Sequence, residues 1–399
     1  MSVWLSDLAE NWLSWLALGL TCVVSAAGFA EALVLLTSTS DAGAVGGTIL
    51  GMAIFAVVLV TWSQMRLVVE EHSEVYRSWR MVGMPGWLVV ALVLGQAAVV
   101  SAAGSAAGAW VSHFSFDWVG RTLGAERIPT GELTLSTGVW LSAVLVCVCS
   151  SLLGTLFALR RVFTQSSPRW VALKALLGVA AIGGTVFGVA QIPDPDDRLG
   201  GCMGLVLVVA LMTPWVLPLL DQWTRVLGIA GANVRVRRRF SSPQILPWVL
   251  GGGLIVAVGS GLRALLAAEE GQTVSSWQMF VVVLSPTLAP CLALALTTSL
   301  LMRRRISSDS HGLKLAGAVP TMIARVQLRE ACALTLTATG IIAAMSLAVT
   351  WLINQSWSTT GFWGSALAIT AAGILSGLAL VKLAVLRNSR SRPLQRIPS

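Results

Sequence analysis

Charge is what this sequence has least of. Asp, Glu, Lys and Arg make up 11% of its 399 residues, against 55% hydrophobic residues. A soluble globular domain carries about 25% charged residues, so a fully water-exposed surface is excluded. Lysine is confined to Lys174, Lys314 and Lys382, and histidine to His72, His113 and His311. The six cysteines (Cys22, Cys147, Cys149, Cys202, Cys291 and Cys332) include no CxxC. Cys147 and Cys149 stand at a spacing that does not suit zinc, and the histidines are scattered, so no metal cluster is expected. No GxxxxGK[ST] occurs either, which removes any phosphate-cradling loop from the chain itself. Catalytic, cofactor-binding and metal-ligating residues are therefore all read as none. The first ten residues hold no Lys or Arg, so the basic start of a cleavable signal peptide is missing.

What is present is apolar sequence in blocks of about 20 residues, the length that crosses a ~30 Å hydrocarbon core. Ten spans are expected, at 12–37, 44–65, 87–112, 137–159, 171–191, 201–220, 245–267, 277–302, 330–354 and 363–385. The fold class is all-α and integral to a membrane. The net charge of +9 collects in alternate loops. Arg66, Arg77 and Arg80 follow span 2, and Arg160, Arg161 and Arg169 follow span 4. Arg225, Arg235, Arg237, Arg238 and Arg239 follow span 6. Arg303, Arg304, Arg305, Lys314, Arg325 and Arg329 follow span 8, and Arg387, Arg390, Arg392 and Arg396 lie in the tail. The intervening loops are acidic or neutral, as with Asp194, Asp196 and Asp197 or Glu269 and Glu270. The positive-inside rule then predicts cytoplasmic termini. Few lysines beside abundant Ala, Gly, Val and Leu fit a GC-rich bacterial genome, so a bacterial plasma membrane is expected.

An internal duplication emerges from three matches in the same order. Trp15 and Gly28 keep the spacing of Trp248 and Gly261. Trp79-Arg80-Met81-Val82-Gly83, with Gln96 thirteen residues on, pairs with Leu313-Lys314-Leu315-Ala316-Gly317, with Glu330 thirteen residues on. Thr137-Gly138-Val139-Trp140-Leu141-Ser142-Ala143 returns as Thr360-Gly361-Phe362-Trp363-Gly364-Ser365-Ala366. The expected organisation is a first four-helix half at 1–160, a linking pair of spans at 161–240 and a second half with a basic tail at 241–399. Equivalent spans keep one orientation, a parallel repeat.

The stretch Gly312-Leu313-Lys314-Leu315-Ala316-Gly317-Ala318-Val319-Pro320, followed by Leu328-Arg329-Glu330, resembles the cytoplasmic pattern of the FtsX/MacB-like permease family of ABC transporters. Ser78-Trp79-Arg80-Met81-Val82-Gly83-Met84-Pro85, followed by Gln96, matches it more loosely. The resemblance implies a permease subunit, with ATP held on a separate ATPase partner, a dimer in such systems, and export or extraction of an amphiphilic peptide, antibiotic or lipid-like substrate. It places ATPase coupling at Glu70, Glu71, Glu74, Arg77, Arg80 and Gly83 in one half, and at Arg304, Arg305, Lys314 and Gly317 in the other. Large outside domains after the first helix of each half, frequent in that family, have no room at 38–43 or 268–276. Two other readings stand beside it, an ion-driven secondary transporter and an antibiotic-sensing signalling partner.

Glu31 in span 1 and Arg263 in span 7 are charges within apolar blocks. Each such charge costs roughly 2.5–3.5 kcal/mol to insert. Glu31 lies three residues after Gly28 and Arg263 two after Gly261, so they are expected to face one another as an intramembrane pair. Snorkelling to the headgroups is the alternative. Pro286 and Pro290 in span 8 are expected to disturb its hydrogen bonding. Ser101, Gly104 and Gly108 offer a surface for close helix packing.

Overall fold

A bilayer supplies no partners for backbone N–H and C=O groups, so an apolar chain of this kind must bond within its own segments. The computed structural model meets that demand with helices. It describes residues 12–38, 40–125, 134–162, 168–193, 195–236, 238–268, 281–298, 317 and 319–354, and among these no strand occurs. The helices are α1 (Trp12–Leu36), α2 (Ser40–Glu71), α3 (Ser73–Met81), α4 (Gly86–Val111), α5 (Phe116–Ala125) and α6 (Thr137–Val162). They continue as α7 (Pro168–Ala190), α8 (Pro195–Leu220), α9 (Ile229–Val236), α10 (Arg238–Ala268), α11 (Val281–Thr298) and α12 (Pro320–Asn354). Among the described residues nine helices are long and apolar enough to cross a membrane, and they coincide with the first nine expected spans. The span at 363–385, the coupling residues Arg304, Arg305 and Lys314, and the second copy of the Thr-Gly-x-Trp motif lie outside the described residues.

Helix lengths say which spans leave the bilayer. Exposed Trp87 and Trp110 mark the two ends of α4, about 35 Å apart at 1.5 Å per residue, the distance between two headgroup regions. At 32 residues, α2 is about 48 Å long and overshoots a hydrocarbon core at its 66–71 end. The 35 residues of α12 overshoot likewise. It starts at Pro320, ahead of the ninth span expected at 330–354, so the polar turn around Arg325 and Arg329 is already helix.

Helices α1, α2, α4 and α6 form a four-helix bundle. Leu18, Phe29, Met65, Val93 and Leu159 are among its buried residues. With lipid on all sides, the hydrophobic effect does not draw helices together, and close packing must. Glycine makes it possible where α4 crosses α1. A Cβ at Gly104 would lie 2.7 Å from the Gly19 carbonyl oxygen, and one at Gly108 only 1.9 Å from that of Val23. Between α6 and α2 the same device recurs at Gly154, 2.8 Å from the Val58 carbonyl oxygen.

The second core joins α8, α10, α11 and α12 to one face of α2, through Leu205, Leu246, Leu250, Leu254 and Met345 against Met52, Ala56 and Val60. The linking helix α7 packs on α8 and exposes Leu176, Leu177 and Phe187. Arg198 donates to the carbonyls of Ile192 (2.5 Å) and Pro193 (3.2 Å), satisfying oxygens left over at the α7–α8 turn.

Two seams join this bundle to the second core. Span 1 meets span 8 where a Cβ on Gly28 would lie 2.7 Å from the Pro286 Cβ, and span 2 packs on span 7 through α2 and α10. Pro286 cannot donate to the carbonyl four residues back. Instead the Ser285 hydroxyl donates to that oxygen, on Val282, at 3.3 Å.

Candidate functional site

The corner between α2 and α4 carries six of the residues assigned to coupling. At His72 the chain turns from α2 into α3 without losing its hydrogen bonding: the His72 amide donates to Val68 O at 3.1 Å and the Tyr76 amide to His72 O at 3.0 Å. The buried His72 ring also sits 2.6 Å, through Nδ1, from Val68 O. Residues 72, 76 and 79 share a helical face. His72 lies 6.1 Å from Tyr76 and Tyr76 5.6 Å from Trp79, measured between ring centroids. Tyr76 belongs to the first bundle's buried core, so this aromatic ladder fixes α3 to the end of α2.

The exit from α3 is equally defined. The Met84 amide reaches back five residues to Trp79 O at 3.0 Å, and Gly83 takes φ of 102°. This is the Schellman ending, which needs a left-handed residue at the glycine position. Pro85 then caps α4 in an extended conformation. Met81 and Val82 at this turn are 75% and 90% exposed, an apolar tip covered by nothing in the chain's described residues. Glu70 is half-buried; Glu71, Glu74, Arg77 and Arg80 lie on α2 and α3, but their side chains fall outside the description.

Just ahead of α12, Gly317 adopts φ of 84°. The two glycines matched by sequence alone therefore share a left-handed backbone, and each stands just before a proline at the start of a long helix. The paired polar residues differ. Gln96 is fully buried in the first bundle. Glu330 is half-buried and accepts a 2.6 Å hydrogen bond from Asn233 Nδ2.

Asn233 lies on α9, in a segment read from sequence only as a basic loop. It is a folded unit: a 3-10 turn at Asp221–Leu227, then Gly228 with φ of 62°, then α9. The return is tight, because a Cβ on Gly231 would lie 1.8 Å from Thr224 O. Trp223 Nε1 donates to Thr337 Oγ1 of α12 at 3.3 Å. The clues were Gly228 and Gly231, which nothing in the hydropathy pattern flags.

At the opposite end of the bundle, α5 covers the seam. Val119 of α5 packs with Ala32 and Leu35 of α1, Ile49 of α2 and Val282 of α11. Ser115, just before α5, donates its hydroxyl to the half-buried Glu31 carboxylate. The side chain of Arg263 is outside the described residues, so the expected pair with Glu31 lies outside the description too. The bundle interior holds a polar set of its own: Thr21 donates to Gln64 at 3.2 Å, and Cys22 Sγ lies 3.4 Å from Ser151 Oγ. Among the described residues no three His, Cys, Asp or Glu side chains are placed to hold a metal ion.

Residues 47–167 match the family model of the FtsX-like permease C-terminal domain. The matched stretch runs from α2 through the α3 corner to the end of α6, and it bears out over that stretch the resemblance to FtsX-like permeases read from the sequence. No curated protein and no solved structure matches the chain.

Proposed function

Taking residues 47–167 as an FtsX-like permease domain, a membrane transport component of the ABC type, we propose that the chain is a permease subunit driven by a separate ATPase. The observation that carries this reading is the α3 corner, which lies inside the matched stretch. A lever needs a stiff connection at both ends. Here α3 is joined to α2 by the His72–Tyr76–Trp79 ladder and to α4 by the Gly83 turn. A push on Met81 and Val82 is transmitted to spans 2 and 3 rather than absorbed in a loop.

In this reading an ATPase dimer holds the ATP and docks on two corners. One is formed by Glu70, Glu71, Glu74, Arg77, Arg80 and Gly83, the other by Arg304, Arg305, Lys314 and Gly317. Both termini are cytoplasmic, in a bacterial plasma membrane. Spans 1–4 and 7–10 act as two halves that shift along the α1–α11 and α2–α10 seams. The work done is export or extraction of an amphiphilic substrate, a peptide, antibiotic or lipid-like molecule, which enters from within the bilayer because the loops offer so little outside it.

The test is purification of the tagged permease from its host in mild detergent. The expected result is a co-purifying subunit with a GxxxxGK[ST] loop, lost when 70–83 or 304–317 is disrupted. Reproducible absence of such a subunit beside folded permease sinks the reading and favours an ion-driven transporter.

A further inference from the structure

Glu31 is a carboxylate that the coupling mechanism does not use. It stands five residues from the end of a span that closes at Leu36, about 8 Å inside along the helix. A charge at that depth marks function by default, and the question is what meets it. Its surroundings are specific. One turn deeper, Gly28 closes on Pro286 of α11. Its neighbour Ala32 and, one turn shallower, Leu35 pack under Val119 of α5 and beside Val282 of α11. Glu31 is thus at the junction of the bundle with α11, beneath α5, largely buried but still partly exposed there.

The neighbouring turn is aromatic and open. Ser115, whose hydroxyl reaches the carboxylate, follows His113 and Phe114. Trp110 and Phe114 stack edge to face at 5.5 Å, and His113 lies 6.2 Å from Phe116. Trp110 is 62% and Phe114 71% exposed. Within α5 the remaining charges are the exposed Asp117 and Arg121. A carboxylate held by Ser115, with exposed aromatic residues in the same short stretch of chain, suits an organic cation with an apolar body, because ring faces and a carboxylate attract the same positive charge.

We propose that Glu31, with the aromatic turn at Trp110 and Phe114, forms a binding site for a cationic amphiphile at the α1–α11 seam beneath α5. This deepens the permease reading, on which it rests, by naming the substrate class. The ammonium or guanidinium of the ligand meets the Glu31 carboxylate in place of water, its apolar body lies along the seam in the bilayer, and the rings hold it at the headgroup level.

The experiment uses the full chain in nanodiscs of zwitterionic phospholipid without nucleotide or ATPase, so its failure is distinct from failure of ATPase coupling. The probes are a photoactivatable alkyltrimethylammonium and the neutral alkyl glucoside of the same chain length, with crosslinks mapped by peptide mass spectrometry. Saturable labelling of the 110–118 region by the cationic probe is expected, reduced about tenfold in Glu31→Gln, with labelling by the neutral probe unchanged. Ser115→Ala, which keeps the charge, and Arg263→Gln should label as the wild type does. Unchanged cationic labelling in Glu31→Gln overturns the proposal. Loss in Ser115→Ala also overturns it, as does equal loss in Glu31→Gln and Arg263→Gln, which would make Glu31 half of a clamp between spans.

Discussion

Replacing Gly108 with alanine adds one methyl group where the structure has no room for it. The new Cβ would lie 1.9 Å from Val23 O, 2.6 Å from Val23 C and 2.8 Å from Val23 Cα. These are backbone atoms of α1, so no side chain can rotate away. Ordinary contact begins at 3.4 Å, and α1 must retreat by about 1.5 Å, which loosens the Gly104 crossing one turn away as well. Overpacking of this kind costs about 1–3 kcal/mol, and a rigid obstacle puts it at the upper end. Gly95 on the same helix has nothing within 4 Å of the place a methyl group would take. There alanine should be neutral or stabilising by up to about 1 kcal/mol, since it relieves the entropy cost of glycine. The assay is thermal unfolding of both purified variants in one detergent. Gly108→Ala should melt about 5–10 °C below the wild type, from about 2–4 °C per kcal/mol, and Gly95→Ala at or above it. Equal melting of the two variants would refute the packing argument.

Three further outcomes follow from the geometry. Gly83→Ala forces a side chain into φ of 102°, costs about 1–2 kcal/mol, and should lower ATPase stimulation more than membrane insertion, read by activity in proteoliposomes against expression level. Tyr76→Ala removes the middle ring of the ladder, and limited proteolysis should then cut within 72–83 while the spans stay intact; unchanged protection would show that α3 is held otherwise. Asn233 and Glu330 should show a coupling of about 1.5–3 kcal/mol in a double-mutant cycle of unfolding, whereas additive effects would mean that α9 is not braced on α12.

The spans were legible because the bilayer imposes a length and an apolar composition that few other structures share. The pairing of Gly83 with Gly317 was read from spacing, whereas the left-handed backbone the two share was not part of that reading. The α5 helix was not legible, because a ten-residue segment whose buried positions among the described side chains are Phe116, Val119 and Thr122 gives too short a pattern against a polar loop. The boundary at His72 was hidden for a different reason: the α2 and α3 sequences are both helix-forming, and the i→i−4 hydrogen bonds run on through His72. At the candidate site, Glu31 stood out by charge alone. Its partner Ser115 is 84 residues away and is set by how α1 and α4 cross, which no local pattern encodes. The bracing of Glu330 by Asn233, 97 residues apart, was out of reach for the same reason.

The central claim is that the α3 corner is where an ATPase pushes. The most direct measurement is a photo-crosslinker placed at Val82, which is 90% exposed, with Trp118 at the opposite end of the bundle as control. In intact cells, Val82 is expected to crosslink to a protein carrying a GxxxxGK[ST] loop, with ATPase stimulation lost in the crosslinked complex and no such product from Trp118. Labelling of position 82 by a membrane-impermeant reagent added outside the cell, or crosslinking of Val82 to lipid alone, would contradict the account.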